Sequence, residues 1–225
     1  MTTSLSFPVH ALLLLGPTGV GKSPLGDLLA ARGFLGKHCY HLDFGAELRR
    51  IHQTTRSTSP YSRVELDFIQ GVLERGLLLE DKHFALARKI ISHFLERNSF
   101  HEEDILVLNG IPRHTGQARD IATLASISAL IVLDSSPESI YRRLRENVGG
   151  DRTERNDDGK ELVAEKLKTF QERTAPLIHQ YRKTGTTVYH IPVTHISTNQ
   201  ETYDLLASLA AANPPVALIA EPPQR

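Results

Sequence analysis

Neither sign of charge prevails in this chain: Lys plus Arg and Asp plus Glu each number 26. The overall balance therefore draws it neither to nucleic acid nor to a membrane surface, and charge has to act locally. Cysteine is almost absent. Cys39 alone excludes an internal disulfide framework and a cysteine-based zinc site, and it fits a reducing compartment. No apolar run approaches the ~20 residues that span a bilayer. The apolar stretch at residues 11–15 has no basic segment before it, so it reads as a strand and not as a secretory signal. No internal repeat is visible. A chain of 225 residues is expected to form one domain with a sizeable core and room for inserted subdomains.

What the chain does have is ALLLLGPTGVGKSPLGDLL at residues 11–29. It reads as an apolar strand, a glycine-rich turn and the start of an amphipathic helix. Gly16, Gly21, Lys22 and Ser23 fill the four fixed positions of the P-loop pattern, in the strand–turn–helix context that the pattern needs. The chemistry asks for this arrangement because a phosphate chain carries dense negative charge and must be met by many backbone N–H groups at close range. Glycines allow that approach, the helix points its positive end at the same spot, and Lys22 adds a full charge. Thr18, Gly19 and Val20 complete the cradle.

Strands are expected at residues 38–44, 104–111, 129–133 and 186–192, with helices between them. His38, Cys39 and His41 lie close in sequence, but strand alternation separates His38 from Cys39 and no carboxylate cluster joins them, so no metal is assigned there. Two helical patterns between the second and third strands imply an inserted helical subdomain, a place where specificity is commonly carried. Residues 158–183 read as one helix with an apolar stripe, kinked at Pro176. Residues 1–9 read as an N-terminal tail, and residues 213–225 as a proline-rich, disordered C-terminal tail. Strands alternating with helices imply an α/β fold, a parallel five-stranded sheet with helices on both faces and ligands at the carboxyl ends of the strands.

The P-loop, FGAELRR, NGIPRHTGQA and ERNDD follow one another in an order and spacing that resembles the nucleoside monophosphate kinases, adenylate kinases most closely, over residues 10–212. The resemblance implies a P-loop kinase with a helical insertion for the acceptor monophosphate at about residues 45–98 and a short lid over the donor at about residues 146–158. Without a cysteine set, that lid implies no structural zinc. By the same resemblance, Lys22, Arg49, Arg113 and Arg155 are the catalytic residues, and Arg152 supports the donor from the lid. Phe44, Gly45, Leu79, Gly110, Gln117 and Lys166 join Arg49 and Arg113 around the acceptor, with Gln117 at the position that reads the base. Arginine suits these places because its planar fork holds phosphate oxygens in pairs and stays ionised. Magnesium is the implied cofactor, near Ser23 and Asn109. ATP and a nucleoside monophosphate, most directly AMP, are the implied partners of a monomeric cytoplasmic enzyme that needs no nucleic acid or membrane.

Several positions depart from the family pattern. Asn109 and Ala46 stand where the family has aspartates near the metal, a loss expected to weaken magnesium placement, with Asp43 and Glu47 as candidates to compensate. Asn147 and Lys166 replace arginines, Phe44 replaces a small hydroxyl residue beside the acceptor base, and Pro24 replaces a threonine after the P-loop. These changes leave two alternatives: a catalytically weakened nucleotide-binding member with a regulatory or assembly role, and another small-molecule P-loop kinase, acting for instance on a sugar acid or shikimate.

Overall fold

Strand β1 (Val9–Leu15) is apolar at every position except His10 because both of its faces are covered. Ala11, Leu13 and Leu15 pack into one core and Leu12 and Leu14 into another, on opposite sides of the sheet. The computed structural model describes residues 9–54, 59–150 and 159–219. Within it β1 is flanked by β3 (Ile105–Asn109) and β4 (Ala125–Asp134), with β2 (Cys39–Asp43) and β5 (Thr187–Pro192) outside them, giving a parallel sheet of order β2-β3-β1-β4-β5. The carboxyl ends of β1, β2 and β3 therefore lie side by side, and the P-loop, Arg49 and Arg113 follow directly from them.

Helices α2 (Phe44–Gln53), α3 (Arg63–Arg75), α4 (Phe84–Arg97) and α5 (Thr115–Ile121) contribute to the first core, and α1 (Lys22–Arg32) to the second. Beyond β4 come α6 (Pro137–Glu146), α7 (Lys160–Thr169), α8 (Pro176–Lys183), α9 (Asn199–Ala212) and α10 (Val216–Ile219). Helix α8 joins the first core, and α9 and α10 the second. Among the described residues no helix is long and apolar enough to cross a membrane.

Three expectations change. Strand β4 begins four residues earlier than its apolar run, because Ala125 pairs with Val9 and the ladder then steps over Ser128, whose hydroxyl lies 3.2 Å from His10 Nδ1. The helix expected over residues 158–183 is broken by a π-helical turn, Phe170–Thr174. Pro176 has no N–H to return to the preceding turn, and the backbone widens ahead of it: Ala175 N–H reaches the Phe170 carbonyl at 2.8 Å, so Pro176 opens α8 instead of kinking a continuous helix. The C-terminal segment is tied down as far as residue 219, since α10 places Leu218 in the core and the Tyr189 hydroxyl donates to the Asn213 carbonyl at 2.6 Å. Residues 220–225 and 1–8 lie outside the described residues.

Gly26, inside α1, shows how closely that helix sits on β2. A Cβ there would collide with the His41 ring. In an open helix, Gly→Ala stabilises by about 0.5–1 kcal/mol. Here the collision wins, and Gly26→Ala is expected to lower the unfolding free energy by about 1–3 kcal/mol in a denaturant titration.

Candidate phosphate- and nucleotide-binding site

The turn between β1 and α1 takes its shape from glycines that reach left-handed backbone. Gly19 has φ 77°, with Leu144 Cδ2 2.7 Å from where a Cβ would stand, and Gly21, at φ 106°, precedes α1. Lys22 Nζ folds back to donate to the Gly16 and Pro17 carbonyls at 2.8 and 2.7 Å. Pro24 falls in the first turn of α1, where its missing N–H removes no intrahelical bond. It does withdraw one donor from the helix end facing the turn. Gly16, Thr18, Gly19, Gly21, Lys22 and Ser23 line a cleft of about 330 Å³. Val20, expected with them, is absent from the lining because its side chain is in the core.

Behind this turn the sequence reading missed Arg143. Its buried guanidinium donates to the Thr194 and Ser197 carbonyls at 2.9 and 2.7 Å and reaches Gly19 O at 3.4 Å, tying the turn to the segment between β5 and α9. On a helix as polar as α6 an arginine reads as solvent-facing, so no sequence signal marked it.

Beside position 109 the neighbouring strand presents a carboxylate, Asp43. Asp43 Oδ2 accepts from Ser23 Oγ at 2.5 Å and from Asn109 Nδ2 at 3.1 Å, while its Oδ1 caps α2 by accepting from Ala46 N–H at 2.9 Å. Asn109 Nδ2 also lies 3.1 Å from Ser23 Oγ and 3.4 Å from His41 Nε2, whose Nδ1 is 2.9 Å from Asp27. Glu47, the other candidate, is corrected. It is held between Arg50 and Arg97, 2.6 and 2.9 Å away, and is absent from the cleft lining. Burial alone would raise its carboxyl, but hydrogen bonds from both arginines outweigh that and keep it below the usual carboxylate range.

Ser23 and Asp43 offer hard oxygen donors at the end of α1 where phosphates would enter, which fits a magnesium ion that keeps most of its waters, while Asn109 turns its amide nitrogen toward both. No group of three or more His, Cys, Asp or Glu gathers into an all-protein metal cage among the described residues. The same geometry reverses the simple expectation for Asn109→Asp. A carboxylate would replace a donor beside Asp43 and set two like charges together. The variant is expected to lose about 1–2 kcal/mol of stability without metal, to recover part of it with magnesium, and to gain no rate; thermal unfolding with and without the ion checks this.

The far half of the cleft is formed by the insertion and by the chain after β3. Phe44, Gly45, Arg49, Leu79, Gly110, Arg113, Gln117 and Lys166 all line it, so the acceptor residues named from sequence do come together. Arg113 stands out among them. Its guanidinium makes no hydrogen bond or ion pair with the described residues, and burial, followed by the charge of Arg173, lowers its pKa. Its backbone is fixed on both sides: the N–H donates to Gln117 Oε1 at 2.7 Å and the carbonyl accepts from Thr174 Oγ1 at 2.8 Å. A largely buried cation with a fixed backbone and no anionic partner among the described residues is placed to meet an anion. Arg173 itself is paired, donating to both oxygens of Glu80 at 2.8 and 2.9 Å and so joining the insertion to the π turn. Arg152 and Arg155, with residues 151–158 of the segment expected as a lid, lie outside the described residues.

No family model matches the chain. It is 28% identical over 181 residues to the adenylate kinase of Synechococcus sp. (strain RCC307), covering 78% of this chain and 86% of that one. It is 26% identical over 196 residues to the adenylate kinase of Haloarcula marismortui, covering 76% and 83%. The chain is similar to adenylate kinases over most of its length. Among solved structures, a gluconokinase from Sinorhizobium meliloti superposes with a TM-score of 0.49 at 18% identity, covering 92% of this chain and 95% of that one. A shikimate kinase from Bacteroides thetaiotaomicron gives 0.48, also at 18%, covering 91% and 97%. The assignment of the fold rests on the sheet order and the P-loop themselves. With them, the similarity to adenylate kinases supports a nucleotide kinase.

Proposed function

We propose that the protein transfers the γ-phosphate of ATP to a nucleoside monophosphate, AMP among the acceptors. The observation that carries this is one continuous cleft, lined by the P-loop and also by Arg49 and by Arg113, which has no partner among the described residues. Phosphoryl transfer needs little covalent help from protein; it needs both phosphates aligned and their charge met in a dry site. The N–H groups of the Gly16–Ser23 turn and Lys22 would hold the donor phosphates. Arg49 and Arg113 would hold the acceptor phosphate with an oxygen facing the donor. Magnesium, when bound near Ser23, Asp43 and Asn109, supplies further neutralisation of phosphate charge.

A coupled assay of ATP with each of the four monophosphates tests this reading. Turnover of at least one is expected, and no turnover by protein shown to be folded would sink it. The replacements at Asn109, Ala46, Asn147 and Lys166 favour one rival, a nucleotide-binding subunit without useful catalysis. Calorimetric binding of ATP with no turnover would select it.

A further inference from the structure

Resting on that reading, we infer that Glu80 and Arg173 are a positioning pair, which sets how Arg49 on the insertion and Arg113 on the chain after β3 meet one acceptor phosphate. Glu80 follows residues 77–79, which line the cleft, and stands just ahead of α4. Both of its oxygens are taken by one guanidinium, Arg173 donating from Nη1 to Oε1 at 2.8 Å and from Nη2 to Oε2 at 2.9 Å. A paired fork of this kind fixes an angle as well as a distance. The next residue, Thr174, is buried and donates from Oγ1 to the Arg113 carbonyl at 2.8 Å. One peptide unit therefore separates the hold on the insertion from the hold on Arg113.

Inside the insertion the helices are tied to one another. Glu47 in α2 accepts from Arg97 in α4 at 2.9 and 3.2 Å, and Glu65 in α3 accepts from Lys89 in α4 at 3.2 and 2.9 Å. A hold at Glu80 is thus passed through α4 to α2, and so to Arg49. The π turn is anchored on its own side, where Ala175 N–H bonds the Phe170 carbonyl and Leu177 is fully buried. The ion pair links two separately anchored pieces, each carrying one of the two arginines.

Charge gives the pair a signature that can be measured. Hydrogen bonds from Arg173 hold the Glu80 carboxyl below the usual carboxylate range, so it is ionised at neutral pH. Burial first, and then the charge of Arg173, lower the pKa of Arg113, so the two guanidiniums feel one another. Acting through its field alone, Glu80 would repel an anionic acceptor and Arg173 would attract it. Removing the two charges would then shift acceptor binding in opposite directions. Acting by position, either removal loosens the same link and weakens binding. Both side chains are partly exposed, and an ion pair of that kind adds little to folding stability, so the effect belongs in the acceptor constants and not in the melt.

The test uses Glu80→Gln, Arg173→Gln and the double variant of the full chain, with ATP and the best bound of AMP, GMP, CMP and UMP, by steady-state kinetics and by calorimetry of the monophosphate alone. Each single variant is expected to raise KM and Kd for the monophosphate about 10-fold, with KM for ATP within about 2-fold of the parent. The double variant is expected to be no worse than either single one, because both remove one link. Arg173→Lys keeps the charge and one bond, and is expected to recover most of the loss. Shifts of opposite sign in the two single variants would show a field effect, and acceptor constants within about 2-fold of the parent would reduce the pair to a surface contact. Either result overturns this inference and leaves the proposed function standing. A parent that binds a monophosphate without turnover overturns the proposed function, and Kd values raised by both single variants would still support the pair. A folded parent that binds none of the four overturns both.

Discussion

Arg113→Met is expected to lower kcat/KM for the acceptor by about 10³-fold while making the ligand-free protein more stable. The two effects have one source. The Arg113 guanidinium is desolvated, lies near the positive charge of Arg173 and has no carboxylate partner among the described residues. Removing one partner of a buried ion pair leaves a stranded charge and destabilises; here the charge has no partner among the described residues, and an apolar side chain of similar length is expected to relieve it by about 1 kcal/mol. The main-chain bonds of Arg113 to Gln117 and Thr174 do not depend on its side chain, so the loop keeps its path. On the proposed function the same change would remove a bidentate phosphate partner, and such donors are each worth about 10²–10³-fold. Loss of alignment adds to that. Steady-state kinetics and thermal melts on one preparation decide it: a variant that loses stability would show that Arg113 has an internal anion, and one that keeps its rate would remove it from the acceptor site.

Lys22→Ala is expected to reduce kcat by about 10²–10³-fold, or about 3–4 kcal/mol of transition-state stabilisation. The ammonium donates to the Gly16 and Pro17 carbonyls, and Gly16 lines the cleft, where water can replace it. The variant should therefore melt within a few degrees of the parent, and a rate within a few-fold of the parent would contradict the role assigned to Lys22.

The fold was legible wherever both faces of an element were buried. The apolar runs of β1, β3 and the second half of β4 read as covered strands because nothing polar interrupted them. The first half of β4, Ala-Ser-Ile-Ser, was not legible: its pairing with β1 is a long-range fact, and Ser128 at the irregular step resembles a loop residue. In the cleft, Lys22, Arg49, Arg113 and Gln117 were named from the sequence because each sits in a short motif, and all four line it. Asp43 was one of two candidates, and only the register of β2 against β3, which sets Asp43 opposite Asn109, separated it from Glu47. Arg143 and Thr174 went unmarked for a common reason. Each acts through main-chain carbonyls distant in sequence, at 194 and 197 for one and at 113 for the other, and no local pattern encodes such a partner.

The π turn at Phe170–Thr174 has a mechanical meaning. Helix α7 starts just past the segment that the family resemblance makes the lid, and the turn at its other end grips two pieces of the acceptor side at once, Thr174 holding the Arg113 carbonyl and Arg173 holding Glu80. A rotation of α7 about its axis would be delivered to both grips together. On the proposed function, the rod and its joint would act as a crank, the angle of α7 setting the angle at which Arg113 is presented.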